Sequence, residues 1–176
     1  SQAEIGNRQG ALTTITEAVT IRRALAVDNP AAHLPDLAAA LNNLAASQAE
    51  TGNRQDALTT ITEAVTIRRA LAVDNPAAHL PNLAMSLNNL ANRQAETGDR
   101  QDALTTITEA VTIRRTLAAD NPAAHLPNLA MSLNNLANRQ AETGNRQDAL
   151  TTITEAVTIR RTLAADNPAA HLPNLA

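Results

Sequence analysis

The chain repeats itself every 46 residues, and that period limits what it can become. Gly6, Gly52, Gly98 and Gly144 stand one period apart, as do Pro30, Pro76, Pro122 and Pro168, and His33, His79, His125 and His171. The block from Arg93 to Ala130 returns as Arg139 to Ala176 with one change, Asp99 to Asn145. A period of this size marks one supersecondary unit copied along an axis, each copy burying its apolar face against its neighbours. Near-identical copies set the same residues at spaced points, whereas a catalytic centre needs different residues converging on one point. The chain therefore reads as a binding array and not as an enzyme.

Composition removes further classes. The net charge of −3 is too small to call for nucleic acid or a membrane surface as partner. With no Cys there is no disulfide, thiolate metal site or thiol nucleophile. With no Phe, Tyr or Trp, bases have no protein ring to stack on. No run approaches the roughly 18 apolar residues of a membrane span, and the expected location is cytoplasmic. The chain opens inside a repeat and is read as a segment of a larger protein.

Within one unit, helix A is expected to start at Pro81, where a missing N–H costs nothing, and to run to Thr97. Gly98 stops it in a left-handed conformation. Asp99 is expected to cap helix B, with Asp102 three residues on. Helix B then runs from Arg100 to about Asp120. So short a connection makes the two helices antiparallel. Pro122 and Pro127 are five apart, which predicts a turn or short helical piece in NPAAHLP. Boundaries follow: a partial repeat over 1–34, then 35–80, 81–126 and 127–172, then a stub. At 100° per residue Leu83, Leu87, Leu90, Ala91 and Gln94 share one face of helix A. Met85, Asn88, Asn89, Asn92 and Glu96 lie opposite. Helix B turns Ala103, Leu104, Ile107, Ala110, Val111, Leu117 and Ala118 to the core. No strand pattern is present; the Thr-Thr-Ile-Thr run sits inside a helical period.

Residues 89–111, NLANRQAETGDRQDALTTITEAV, resemble the tetratricopeptide repeat (TPR). Leu90 matches the leucine of its first helix, Ala91 a small residue, Gly98 the turn glycine, and Ala103 and Ala110 the small residues of its second helix. The SLNNLA start, the IRR segment and the closing NP resemble the kinesin light chain type. The resemblance covers the whole chain. It implies an all-α fold, a right-handed α-solenoid of antiparallel hairpins, and a protein–protein interaction scaffold that binds an extended peptide or partner helix in a concave groove. No cofactor and no metal are expected. The 46-residue period exceeds the usual 34, and Gln94 and Arg100 stand where the family has aromatics. Arginine without lysine and abundant alanine suggest a GC-rich bacterial source, where such arrays are often fused to signalling ATPases or peptidase-like domains. Two other readings remain open: a structural, self-assembling rod, and the sensor arm of a larger signalling protein.

The helix A face opposite the core carries the candidate groove: Asn42, Asn43, Met85, Asn88, Asn89, Asn92, Arg93 and Glu96, then Met131, Asn134, Asn135, Asn138, Arg139 and Glu142. A side-chain amide donates and accepts, so a ladder of amides can hold a peptide backbone whatever its sequence. The same asparagines also read as solvated polar residues or as struts between repeats. Arg93 and Arg139 suit an acidic ligand group, or are simply a soluble row. Ala46-Ser47 stands where later repeats have Asn92-Arg93 and Asn138-Arg139, so the face is uneven. The four histidines are one per repeat and pack the connectors, too far apart for one metal ion. Arg22, Arg68, Arg114 and Arg160 fall in helix B's apolar stripe and read as locks whose guanidinium reaches connector carbonyls. Serines 1, 47, 86 and 132 belong to no triad. Both ends of the array are expected to expose apolar surface and to permit head-to-tail self-association.

Overall fold

A computed structural model describes residues 2–166, with side chains from residue 6 onward. Among them are seven helices and no strand: α1 (Gln2–Asp28), α2 (Pro30–Glu50), α3 (Arg54–Asp74), α4 (Pro76–Thr97), α5 (Arg100–Asp120), α6 (Pro122–Glu142) and α7 (Arg146–Asp166). The even-numbered helices are of type A and the odd-numbered of type B. The expected stub lies outside the described residues, as does His171. No described helix is long and apolar enough to cross a membrane.

The chain divides into two compact units, Ser1–Gly98 and Asp99–Ala176. In the first, α2 packs against α1 and α3, α3 also packs against α4, and α2 meets α4 along a narrow strip. Leu41, Ile61 and Leu87 are fully buried there, with Ala38, Ala57, Ala64 and Ala84 filling the narrow spaces. Alanine at these positions lets helix axes approach closely, and larger side chains would overpack them. In the second unit α6 packs against α5 and α7 around Ile107, Val111 and Leu133. The expected helix B core is present, with Leu104 and Leu117 half-buried and the rest buried. Threonine is tolerated in the B helices because its hydroxyl donates to the carbonyl four residues back, as Thr62 does to Leu58 at 2.7 Å and Thr108 to Leu104 at 2.7 Å.

The glycine turns form as the sequence requires. Gly52, Gly98 and Gly144 have φ of 85°, 94° and 88°, a region that a Cβ disfavours. Gly6 does not: it lies inside α1, which runs through it without a break.

Two expectations about helix ends are corrected. NPAAHLP is not a separate turn. Helices α2, α4 and α6 begin at Pro30, Pro76 and Pro122 and pass through Pro35, Pro81 and Pro127. The reason is the residue in front. Asn29, Asn75 and Asn121 accept a hydrogen bond on the side-chain oxygen from the backbone N–H of Ala32, Ala78 and Ala124, at 3.3, 3.2 and 3.3 Å. An asparagine cap with proline at the first helical position is a strong start signal. The inner proline then forfeits one hydrogen bond, to the carbonyl four residues back, in an exposed first turn. The second correction concerns Asp99, which makes no capping bond through its side chain; nor does Asn53. Both have φ near −80° and ψ near 60°, at −79°/60° and −80°/61°. That is the inverse γ-turn conformation, closed at Asn53 by Arg54 N–H donating to Gly52 at 2.9 Å. A capping side chain needs the extended backbone that this turn excludes.

Candidate functional site

The expected groove residues fall into three groups. Asn42 and Asn88 are corrected: they are buried, with 6% and 5% of their surface exposed. Asn42 Nδ2 donates to Ser86 Oγ at 2.8 Å and to the Ala38 carbonyl at 3.0 Å, and its Oδ1 accepts from Asn89 Nδ2 at 3.2 Å. It is a strut between α2 and α4. A helical wheel locates the side of helix A that faces its B partner, but a stacked A helix has a second neighbour, the next A helix. Asn42 faces that one. Ser86, fully buried, completes the strut; triad logic passes over it, although Asn42 and Ser86 sit one period apart less two residues, as facing positions on stacked helices should.

The second group is open. Asn43, Glu96, Asn138 and Glu142 are exposed, as are Met85 and Met131; Asn89, Asn92, Asn134 and Asn135 are half-buried. The third group is the arginines. Arg93 pairs with Glu96 at 2.8 Å and Arg139 with Glu142 at 3.0 Å, each within its own helix. Their charge is therefore already balanced locally, and selection of an acidic ligand by charge alone has little to work with.

In the first unit this face holds three openings that share walls. One of about 330 Å³ lies between α1 and α2 at Arg8, Ala11, Ser47 and Glu50. The next, of about 390 Å³, has Glu50 in common with it and is walled by Ala46, Ala49, Arg54, Arg93 and Glu96. The third, of about 80 Å³, shares Ala46 and Arg93 and reaches between α2 and α4, past Asn42 and Asn89, to the buried Ile61 of α3. At this place α2 carries the smaller Ala46 and Ser47 where α4 carries Asn92 and Arg93. That difference was visible in the sequence; the depth beside it was not.

On the opposite side, α1, α2 and α3 border a shallow, open apolar hollow of about 530 Å³ at Val27, Leu34, Leu37 and Ile67. Its rim charges, Arg23 and Glu63, are bonded to each other through Nε and Nη2 of the guanidinium. It offers a ligand little that would orient it.

Arg68 and Arg114 are buried, each 5% exposed, and burial lowers the pKa of both guanidinium groups. They do not make the expected full set of bonds: Arg68 Nε and Nη1 and Arg114 Nε have no partner. Arg22 differs, bonding Asp36 through Nη1 at 2.8 Å. Asn82 and Asn128 occupy the place of Asp36 in the later repeats, so the acid is missing there. His33, His79 and His125 are half-buried in the first turns of their helices. Among the described residues no group of three or more His, Asp or Glu could hold a metal ion.

Antiparallel helix pairs joined by a left-handed glycine and repeated along the chain define an all-α hairpin-repeat protein. The chain belongs to the tetratricopeptide repeat family: the family profile, described as tetratricopeptide repeat, matches residues 37–77, 83–123 and 129–169. Residues 1–27 also match a profile described as anaphase-promoting complex subunit 5, over a single helix. Among proteins of curated function none matches this sequence. Similar solved structures include the following two. BtubC (BKLC) from P. vanneervenii has a TM-score of 0.67 at 20% identity, over 89% of this chain and 58% of that one. A putative kinesin light chain from Podosopora anserina, with nearly identical TPR-like repeats, has a TM-score of 0.62 at 20% identity, over 92% of this chain and 75% of that one. This chain thus spans little more than half the length of BtubC. Tetratricopeptide repeat proteins generally mediate protein–protein interaction or scaffolding.

Proposed function

We propose that the chain is a protein-interaction scaffold that takes an extended peptide along the A-helix face of its first unit. The observation that carries this reading is the pair of openings joined at Ala46 and Arg93, one wide and one narrow, with amide and guanidinium groups on their walls. An extended peptide has a donor and an acceptor at every residue, and Asn43, Asn89 and Asn92 present both. Apolar side chains of the ligand rest on Ala46 and Ala49, where small residues leave room. The buried Asn42 serves the groove differently. It holds α2 on α4 and so fixes the distance across which the peptide lies.

The test is selection of a displayed random-peptide library on the purified chain. Enriched peptides are expected whose binding is lost in Arg93→Ala and Asn43→Ala and kept in Thr66→Ala, which lies on the opposite side. Binding that is lost on Thr66→Ala and indifferent to Arg93 would place the docking surface at the α1/α3 hollow instead.

A further inference from the structure

We infer that the narrow recess beside Ala46 is an anchor subsite for one side-chain amide of the ligand, an asparagine; this rests on the groove reading above. The A helices carry a ladder of amides on this face. In α4 and α6 its last rung is Asn92 and Asn138; in α2 the rung is missing, because Ala46 stands there. What remains is a recess of about 80 Å³ at that position, bounded by Asn42, Ala45, Asn89 and Arg93, with Ile61 as its floor. That is about half the roughly 150 Å³ of a cavity that takes a benzene ring, so the recess admits a small group such as one amide and not an aromatic ring.

The bonding around the recess sets the chemistry. Asn42 is spent: both its amide nitrogen and its oxygen are engaged, with Ser86, Ala38 and Asn89. Asn89 gives one N–H to Asn42, which leaves its oxygen as an acceptor. Arg93 gives Nη2 to Glu96, which leaves Nε and Nη1 as donors. The residues that bound the recess thus keep one acceptor and a pair of donors unspent. A side-chain amide satisfies both at once, its NH2 on Asn89 Oδ1 and its carbonyl on Arg93. A carboxylate could use only the donors, and would sit beside Glu96, with Glu50 at the mouth of the adjoining opening. Where later repeats fill the rung with their own asparagine, this repeat leaves it for the ligand, and the ligand gains its register along the groove from that single point.

The experiment uses the same displayed random-peptide library, selected on the unmodified chain, with binding of the enriched peptides then measured on Ala46→Asn and Ala46→Leu. Both variants are expected to fold with an unchanged melting temperature, Ala46→Asn because two other repeats carry asparagine there. The enriched peptides are expected to share one asparagine, and each variant to weaken them roughly tenfold, as does replacing that asparagine by alanine or aspartate in the peptide. Enriched peptides without a shared asparagine, or equal binding to the unmodified chain and both Ala46 variants, would overturn the subsite while leaving the groove in place. A library that yields no binder on the unmodified chain would overturn the groove reading itself, and the subsite with it.

Discussion

The first unit holds its stacked hairpins together by different means on its two sides. Where α2 meets α4 the bond is Asn42 to Ser86, with 6% and 0% of these residues exposed. Where α1 faces α3 the bond is Arg23 to Glu63, whose side chains are 52% and 37% exposed. The exposed ion pair costs little to make and contributes little, because water and salt screen it. The buried amide pair has no water to replace a lost partner, so it enforces one geometry. The A side is therefore rigid and in register, which suits a docking surface. The B side is cushioned by an exposed pair that can break and reform. The second unit repeats the exposed device, with Arg115 on Glu155 at 2.6 Å.

Both sides rest on the same apolar core, and the largest effect should come from cutting it. Ile61 is fully buried in α3, between the A side and the B side. Ile61→Ala should cost about 2–4 kcal/mol in a denaturant titration; a loss below about 1 kcal/mol would mean that the stack collapses around the gap. Next comes the A side. Asn42→Ala strands the Ser86 hydroxyl and one Asn89 N–H, and should cost about 1–3 kcal/mol. A neutral result would show that water reaches Ser86.

A third substitution tests the missing acid. Asn82→Asp puts opposite Arg68 the partner that Asp36 gives Arg22, and should stabilise by up to about 1 kcal/mol, discounted because Asp36 itself is largely exposed. Destabilisation would mean that Arg68 points elsewhere. The sign of its pH effect follows from burial. The folded pKa of Arg68 lies below the unfolded value, so the unfolded chain binds the proton more tightly. Stability from this group therefore rises with pH only in the strongly alkaline range where arginine titrates; between about pH 5 and 9 it should contribute no slope, as a pH series of melting temperatures would show. The smallest effect belongs to the B side: Glu63→Gln should change stability by less than about 1 kcal/mol, and less again in roughly 1 M salt.

Helix type, helix B's core and the glycine turns were legible because each rests on a local rule: a 3.6-residue apolar period, or a backbone that only glycine adopts easily. The helix starts were misread because proline was weighed as a breaker without the asparagine before it. Asp99 looked like a cap by residue type, but its backbone takes the inverse γ-turn conformation and its side chain makes no capping bond. The exposure of the candidate residues was legible in part. Asn43, Asn89 and Arg93 line an open face, whereas Asn42 and Asn88 are buried, because a pattern within one helix carries no record of the next A helix stacked on it. The recess could not be read at all as a shape, only as a difference between Ala46 and Asn92.

A pair of double-mutant cycles tests the contrast most directly: Asn42→Ala with Ser86→Ala, and Arg23→Ala with Glu63→Ala, each measured by denaturant titration at low salt and in roughly 1 M salt. The predicted result is a coupling of about 1 kcal/mol or more for Asn42 and Ser86, unchanged by salt, and a coupling for Arg23 and Glu63 below about 1 kcal/mol that fades in salt. A salt-sensitive or absent coupling at Asn42 and Ser86, beside a larger one at Arg23 and Glu63, would contradict it.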